Sequence, residues 1–218
     1  MNTPADAVPV VLVGFMGAGK STVGRLIAER LGRSFVDSDD VITRRTGRSP
    51  REIFAADGEA VFRAHERQVI ADLVDGESVG EGVGEDGEGD GERDGDGKGD
   101  GERDGKDKGD GTTGGLVVAL GGGAVEDPRT RALLRNARVV YLAVSYPEAL
   151  ARVGGDPHRP VLARPDLEAV HRQRIAGYRD AADVIVVTDG LPPEAVAERV
   201  LAELAGSRPG ASSEHLVE

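Results

Sequence analysis

The sequence contains no cysteine. That excludes disulfides and thiolate metal sites, and it fits a reducing compartment. Four histidines occur, at 65, 158, 171 and 215, and none has the spacing of a metal-ligand pair. No apolar run approaches the ~20 residues of a membrane span. The opening Met1-Asn2-Thr3-Pro4-Ala5-Asp6-Ala7 lacks the basic stretch and apolar core of a secretory leader. A soluble, cytoplasmic protein is therefore expected, and 218 residues suffice for one or two domains.

Glycine and acidic residues are abundant, but unevenly placed. Residues 75–115 hold 15 Asp or Glu against 5 Lys or Arg, so −10 of the formal net charge of −12 sits there and −2 on the other 177 residues. The same stretch holds 16 of the 32 glycines, and Gly-Glu-Arg-Asp-Gly occurs at 91–95 and again at 101–105. Apart from Val79 and Val83 it offers nothing to bury, so it reads as a disordered insert. Its Asp-x-Asp-Gly pieces do not complete a calcium-loop pattern, and no flanking helices are evident. Lengthening a loop from ~5 to ~41 residues is about three doublings, which costs only about 2 kcal/mol of closure entropy. The overall acidity thus describes the insert and says nothing about the partners of the folded part.

Outside that stretch, glycine recurs in a loop where chemistry is expected. Gly14-Phe15-Met16-Gly17-Ala18-Gly19-Lys20-Ser21-Thr22 fits G-x-x-x-x-G-K-[ST], the phosphate-binding loop. Val10-Val11-Leu12-Val13 before it suits a buried parallel strand, and Val23, Leu26, Ile27 and Leu31 after it repeat at helical spacing. Such a loop turns its N–H groups inward at the positive end of a helix and so holds a polyphosphate. Lys20 reaches the β- and γ-phosphates, and the Ser21 hydroxyl suits Mg²⁺. The motif implies a nucleoside triphosphate without naming what receives the phosphate.

Further along, Ser34-Phe35-Val36-Asp37 reads as a second strand ending in Asp37-Ser38-Asp39-Asp40. Read as extended chain, Asp37 and Asp39 face one side and Ser38 the other. Two carboxylates at a strand's carboxyl end suit a metal-bound water and a hydroxyl that must lose its proton. Asp40 is the better candidate to cap the helix through Val41 and Ile42. Ser49-Pro50-Arg51-Glu52 is a capping box, and a helix from Glu59 to about Val74 carries Phe62, Arg63 and Glu66. By spacing alone, Arg63 is a solvated arginine or a partner of Glu66 at i+3.

Beyond the insert, Leu116 to Leu120 is an apolar strand running into Gly121-Gly122-Gly123, where backbone can approach a ligand closely. Pro128 to Leu134 reads as a helix, Val139 to Ala143 as a strand, and Ser145-Tyr146-Pro147-Glu148 as another helix cap. The turn-rich stretch 154–160, with Arg152 and Arg164 on either side, reads equally as a loop closing over a nucleotide or as a surface connection. A helix from Asp166, a strand at Val184 to Val187 and a helix from Pro193 to Leu204 complete the chain. Residues 1–7 and 206–218 read as flexible tails. The expected fold is a single three-layer α/β/α domain over 8–205, with a five-stranded parallel sheet and a phosphate-binding loop.

Taken in order, Gly14 to Gly24, Asp37-Ser38-Asp39, Thr46-Gly47-Arg48-Ser49, Ile53-Phe54 with Asp57-Gly58-Glu59, Phe62-Arg63 with Glu66, Leu120 to Ala124, and Arg159-Pro160-Val161-Leu162 resemble shikimate kinase, a P-loop small-metabolite kinase. The resemblance covers about 8–74 and 116–204. It implies transfer of phosphate from ATP to the 3-hydroxyl of shikimate, giving shikimate 3-phosphate and ADP, in chorismate and aromatic amino acid biosynthesis. It implies that Gly17, Ala18, Gly19, Lys20, Ser21 and Thr22 bind ATP phosphates. Ser21 takes Mg²⁺, and Asp37 supports that ion through water. Asp39 holds the shikimate hydroxyls and is the candidate base. Arg63 and Arg174 grip the substrate carboxylate, which reverses the bland reading of Arg63. Gly122 and Gly123 give backbone contacts, while Phe54 and Phe62 pack beside the substrate. Arg159 faces the moving phosphoryl group as a lid residue, and Arg152 lies near adenine. Leu191 falls where some relatives carry a long polar residue, which puts the adenine contact in question. The implied partners are shikimate and ATP, with neither nucleic acid nor membrane, and the implied state is a monomer. Two rivals stay open at this point: another small-metabolite kinase such as a gluconate kinase, and a non-enzymatic nucleotide-binding module whose acidic insert engages a basic partner.

Overall fold

The five apolar runs assemble as one parallel sheet in the order β2-β3-β1-β4-β5. The strands are β1 (Val10–Val13), β2 (Phe35–Asp37), β3 (Val117–Ala119), β4 (Arg138–Ala143) and β5 (Val184–Val187). They come from a computed structural model that describes residues 8–76, 115–154 and 166–206. Val10 lies opposite Val117 on one side and Arg138 on the other, so β1 is the central strand. All four of its residues are buried, as continuous β-branched strands require when helices cover both faces.

Eight α-helices supply those layers among the described residues: α1 (Lys20–Leu31), α2 (Ser38–Thr46), α3 (Pro50–Asp57), α4 (Glu59–Asp75), α5 (Pro128–Leu133), α6 (Tyr146–Val153), α7 (Leu167–Ala181) and α8 (Pro193–Gly206). Helices α1 and α8 pack together and onto β3 and β5, and α7 packs onto β4. The expected three-layer fold with a five-stranded parallel sheet is thus present. From β1 the chain moves outward to β2, returns to lay β3 between them, and then crosses to β4. Adjacent strands therefore send their following loops in opposite directions at the carboxyl end of β1, and a crevice for ligand opens there.

Several local expectations need correction. The α2 cap is Asp37, which accepts the N–H of Asp39, and not Asp40. The strand stops at Asp37 and the helix begins at Ser38, so Asp39 sits in a first helical turn and not on an extended chain. Ser49 forms the full capping box. Ser145 stands at its cap position without a side-chain bond, and its own N–H donates to Asp189 at 2.9 Å instead. Asp75 closes α4 and Gly206 closes α8, so neither belongs to an irregular segment. The remainder of the expected insert (77–114), the two tails (1–7 and 207–218) and the loop with Arg159 (155–165) lie outside the described residues.

Candidate active site

The phosphate loop owes its shape to glycine. Gly14, Gly17 and Gly19 have φ of 148°, 76° and 88°. A Cβ on Gly14 would stand 2.6 Å from the Leu142 carbonyl oxygen, and one on Gly17 would stand 2.6 Å from that of Ala149. Both positions therefore demand glycine for conformation and for space. Between them Phe15 is buried with its ring edge-on to His171, at 4.9 Å between centroids, which pins the loop from below. Gly19 is the N-cap of α1, no side chain caps that helix, and its first turn holds no acid. The uncapped first turn and the positive end of the helix dipole suit an anion there. Lys20 arches back over the loop, its Nζ donating to the carbonyls of Gly14 (2.9 Å) and Phe15 (3.1 Å).

Beside this loop stand the carboxylates of the β2–α2 junction. The Ser21 hydroxyl donates to Asp37 Oδ2 at 2.8 Å, while Asp37 Oδ1 receives the Asp39 N–H at 3.1 Å. Ser21 and Asp37 thus present adjoining hard oxygens next to the phosphate cradle. That donor set fits Mg²⁺, which takes one or two protein oxygens and fills its remaining positions with water and phosphate. No cluster of three acidic or histidine side chains able to cage an ion occurs among the described residues. Ser38 is fully buried and its hydroxyl accepts the Gly121 N–H at 3.3 Å, which ties the acidic junction to the triple-glycine loop.

Asp39 has an unusual environment. Burial, reinforced by neighbouring Asp37, pushes its carboxyl from the ordinary 3.8 up to about 6, against the pull of Lys20. Its Oδ1 is buried without a hydrogen-bond partner among the described residues, and so is Oε1 of Glu66. A Cβ on Gly121 would lie 3.2 Å from the first oxygen and 2.8 Å from the second. The two carboxylates therefore converge over a bare Cα. Burial also raises the Glu66 carboxyl, with Arg63 opposing the shift.

Two arginines close the far end. Arg63 donates from Nη1 to Glu66 Oε2 at 2.6 Å and from Nη2 to Glu59 at 3.3 Å. Burial works against its charge, but Glu66, Glu59 and Glu126 more than restore it. Its guanidinium lies 5.4 Å from the Phe62 ring and 5.9 Å from the Phe54 ring, which themselves pack at 4.4 Å. Arg174 donates from Nε and Nη2 to the two oxygens of Glu126, at 3.0 and 3.1 Å. Both guanidiniums stand against the triple-glycine loop: a Cβ on Gly123 would fall 2.3 Å from Arg63 Nη2 and 3.1 Å from Arg174 Nη2. Tyr178, one helical turn beyond Arg174 and fully buried, donates its hydroxyl to the Gly122 carbonyl at 2.5 Å. Burial raises its hydroxyl pKa, which keeps that proton in place.

At the opposite end Arg152 is clamped. It donates to the Thr188 carbonyl (2.6 Å) and hydroxyl (3.1 Å), to Glu148 (3.1 Å) and to the Gly17 carbonyl (3.2 Å). One cleft of about 850 Å³ runs between these ends. Its walls bring together Gly17 to Thr22, Asp37, Asp39, Gly122, Arg152 and Arg174, with Leu191 near Arg152. Arg63, Phe54, Phe62 and Gly123 do not line that cleft; Gly123 lies between the guanidiniums of Arg63 and Arg174, and the two rings pack against Arg63. Arg159 lies outside the described residues. Sequence reasoning missed the roles of Ser38, Glu126, Tyr178 and Thr188. Only Tyr178 carried a usable signal, its i+4 spacing from Arg174 on one helix.

Known proteins resemble the chain in family, sequence and overall fold. The family model described as Shikimate kinase matches residues 16–87 and 110–205, and its break falls inside the acidic glycine-rich stretch. The chain is 39% identical over 197 residues to the shikimate kinase of Thermobifida fusca, covering 89% of this chain and 93% of that one. It is 40% identical over 195 residues to the shikimate kinase of Streptomyces avermitilis, covering 88% and 92%. Among solved structures, shikimate kinase from Acinetobacter baumannii in complex with shikimate matches with a TM-score of 0.69 and 30% identity, over 92% of this chain and 94% of that one.

Proposed function

The chain belongs to the shikimate kinase family, and from that premise we propose how its residues divide the work of phosphorylating the 3-hydroxyl of shikimate. The protein is an ATP-dependent kinase of the shikimate pathway that produces shikimate 3-phosphate and ADP. Gly17, Ala18, Gly19 and Thr22 wrap the ATP phosphates, and Lys20 leaves its loop carbonyls for the phosphate oxygens. Ser21 and Asp37 would hold Mg²⁺, Asp37 through a water. When bound, that ion neutralises phosphate charge. Arg152 borders the adenine end beside Leu191.

Arg63 and Arg174 take the carboxylate of shikimate, while Gly122 and Gly123 lend backbone contacts and Phe54 and Phe62 brace Arg63 from behind. Held by that carboxylate, the substrate turns its hydroxyls toward Asp39. The raised pKa of Asp39, about 6, makes it a stronger base than an ordinary aspartate and still leaves it ionised near neutral pH. It takes the hydroxyl proton as the oxygen bonds to the γ-phosphorus and the bond from that phosphorus to the departing ADP oxygen breaks. Lys20 and Arg159 offset the charge of the moving phosphoryl group. Most of the acceleration then comes from positioning.

The observation that carries this reading is that one cleft holds both the phosphate loop and Asp39, with Arg174 in the same wall. We further propose a cytoplasmic monomer. No helix among the described residues is long and apolar enough to cross a membrane. The test is coupled ADP release with ATP and Mg²⁺, with and without shikimate. Shikimate-dependent release is the expected result, and release indifferent to shikimate would remove the substrate assignment.

A further inference from the structure

The subsite assigned to the substrate's carboxylate already holds a carboxylate of the chain itself. We propose that Glu126 is an internal competitor for that subsite, which substrate must displace. The proposal rests on the assignment of Arg63 and Arg174 to the substrate carboxylate.

Glu126 ends the short 3₁₀ turn Ala124–Glu126 that follows the triple glycine. Its two oxygens take Nε and Nη2 of Arg174, and one of them lies 3.6 Å from Nη2 of Arg63. It thus engages both guanidiniums at once. The Nε–Nη2 edge is one that offers a carboxylate two parallel donors. Three glutamates, 59, 66 and 126, already face these two positive charges. A substrate carboxylate would be the fourth anion on two cations, so one of the three must withdraw.

Exposure identifies which. Glu66 is 1% exposed and bound at 2.6 Å to Arg63, so it is the least able to withdraw into solvent. Glu59 is 66% exposed and pairs with Arg63, with no ion pair to Arg174 among the described residues, so its withdrawal frees nothing on Arg174. Glu126 is 34% exposed, at the end of a turn whose other two residues, Ala124 and Val125, are buried. Rotation of its side chain carries it into solvent without moving backbone. The exchange replaces one bidentate ion pair with another, so the arginines stay neutralised throughout. What Glu126 alters is the net gain on binding, and therefore KM.

Steady-state kinetics on the full chain test this, with wild type, E126Q and R174M compared. E126Q keeps the shape of the side chain and removes its charge. Its KM for shikimate should fall about fivefold, the scale of a partly exposed ion pair. Its kcat and its KM for ATP should stay within about twofold. R174M should raise the KM for shikimate roughly 100-fold. If R174M does so while E126Q leaves KM unchanged or higher, or lowers KM only together with kcat, Glu126 merely orients the arginines and the proposal is overturned. If R174M leaves KM unchanged, the carboxylate subsite itself is misassigned and the proposal falls with it.

Discussion

Replacing Asp39 with asparagine separates what this residue does for catalysis from what it costs the fold. Its carboxyl is raised from 3.8 to about 6, chiefly by burial, so the folded chain holds the proton more tightly than the unfolded chain does. The stabilising contribution of the protonated form is complete below 3.8 and lost as pH rises through 6. At pH 8 the ionised carboxylate is a liability. A shift of about two units at roughly 1.36 kcal/mol each sets its upper bound near 3 kcal/mol, falling to about 0.5 kcal/mol at pH 4. Water reaching the cleft screens part of this, so about 1–3 kcal/mol is expected at pH 8. Asparagine has nearly the same shape and no charge, and Asp39 Oδ1 has no hydrogen bond to lose. D39N should therefore be more stable than wild type at pH 8, by roughly 2–4 °C in Tm per kcal/mol. The gain should shrink toward zero at pH 4, while kcat drops at least ~100-fold. Urea unfolding followed by circular dichroism at pH 8, 6 and 4 measures this directly. A D39N protein that is no more stable at pH 8, or a difference independent of pH, would refute the argument that burial raises this carboxyl.

If Asp39 is the base proposed above, the same carboxyl should set the acid limb of the rate profile. With Asp39 as the base, kcat/KM should fall about tenfold per unit below pH 6 and level off above it, whereas a flat profile from pH 5 to 7 would remove it from that role. The triple-glycine loop predicts unequal alanine scans. A Cβ on Gly122 finds ordinary contacts at 3.6 Å and beyond, but one on Gly123 runs into Arg63 Nη2 at 2.3 Å. G123A should raise the KM for shikimate at least ~10-fold and G122A by much less, and equal effects would contradict the loop geometry. Replacing residues 77–114 with a short Gly-Ser linker should leave shikimate-dependent ADP release within about twofold, since loop length alters closure entropy only slowly. Loss of activity in that variant would make the insert a working part.

The phosphate loop was fully legible in the sequence because its function is local. Turn geometry, helix terminus and lysine lie within nine consecutive residues, and glycine is the one residue that satisfies all the turns. The sheet was legible for a similar reason, since continuous β-branched runs admit few other readings. Asp37 and Asp39 do line the cleft, but not by the geometry expected of them. An extended chain would have put both on one side, but Asp37 turns the backbone into α2, and helical geometry then delivers Asp39 to the cleft. What stayed hidden is non-local chemistry. Glu126 meets Arg174 across 48 residues, and Ser38 meets Gly121 across 83. No spacing rule announces such pairs. The convergence of Asp39 and Glu66 over Gly121 requires three separate elements to be assembled first.

The strand order also has a consequence for how the chain is made. Strand β3 fills the slot between β2 and β1, yet it is encoded after the long acidic stretch. A ribosome adding about 5–20 residues per second needs roughly 2–9 s to travel from residue 77 to the end of β3. For that interval β1, wholly apolar, has emerged with neither of its neighbours, because β4 comes later still. Bare strand edges are templates for wrong partners. The length of the acidic stretch thus acts as a clock on nascent-chain vulnerability, and shortening it should raise the yield of folded protein during synthesis.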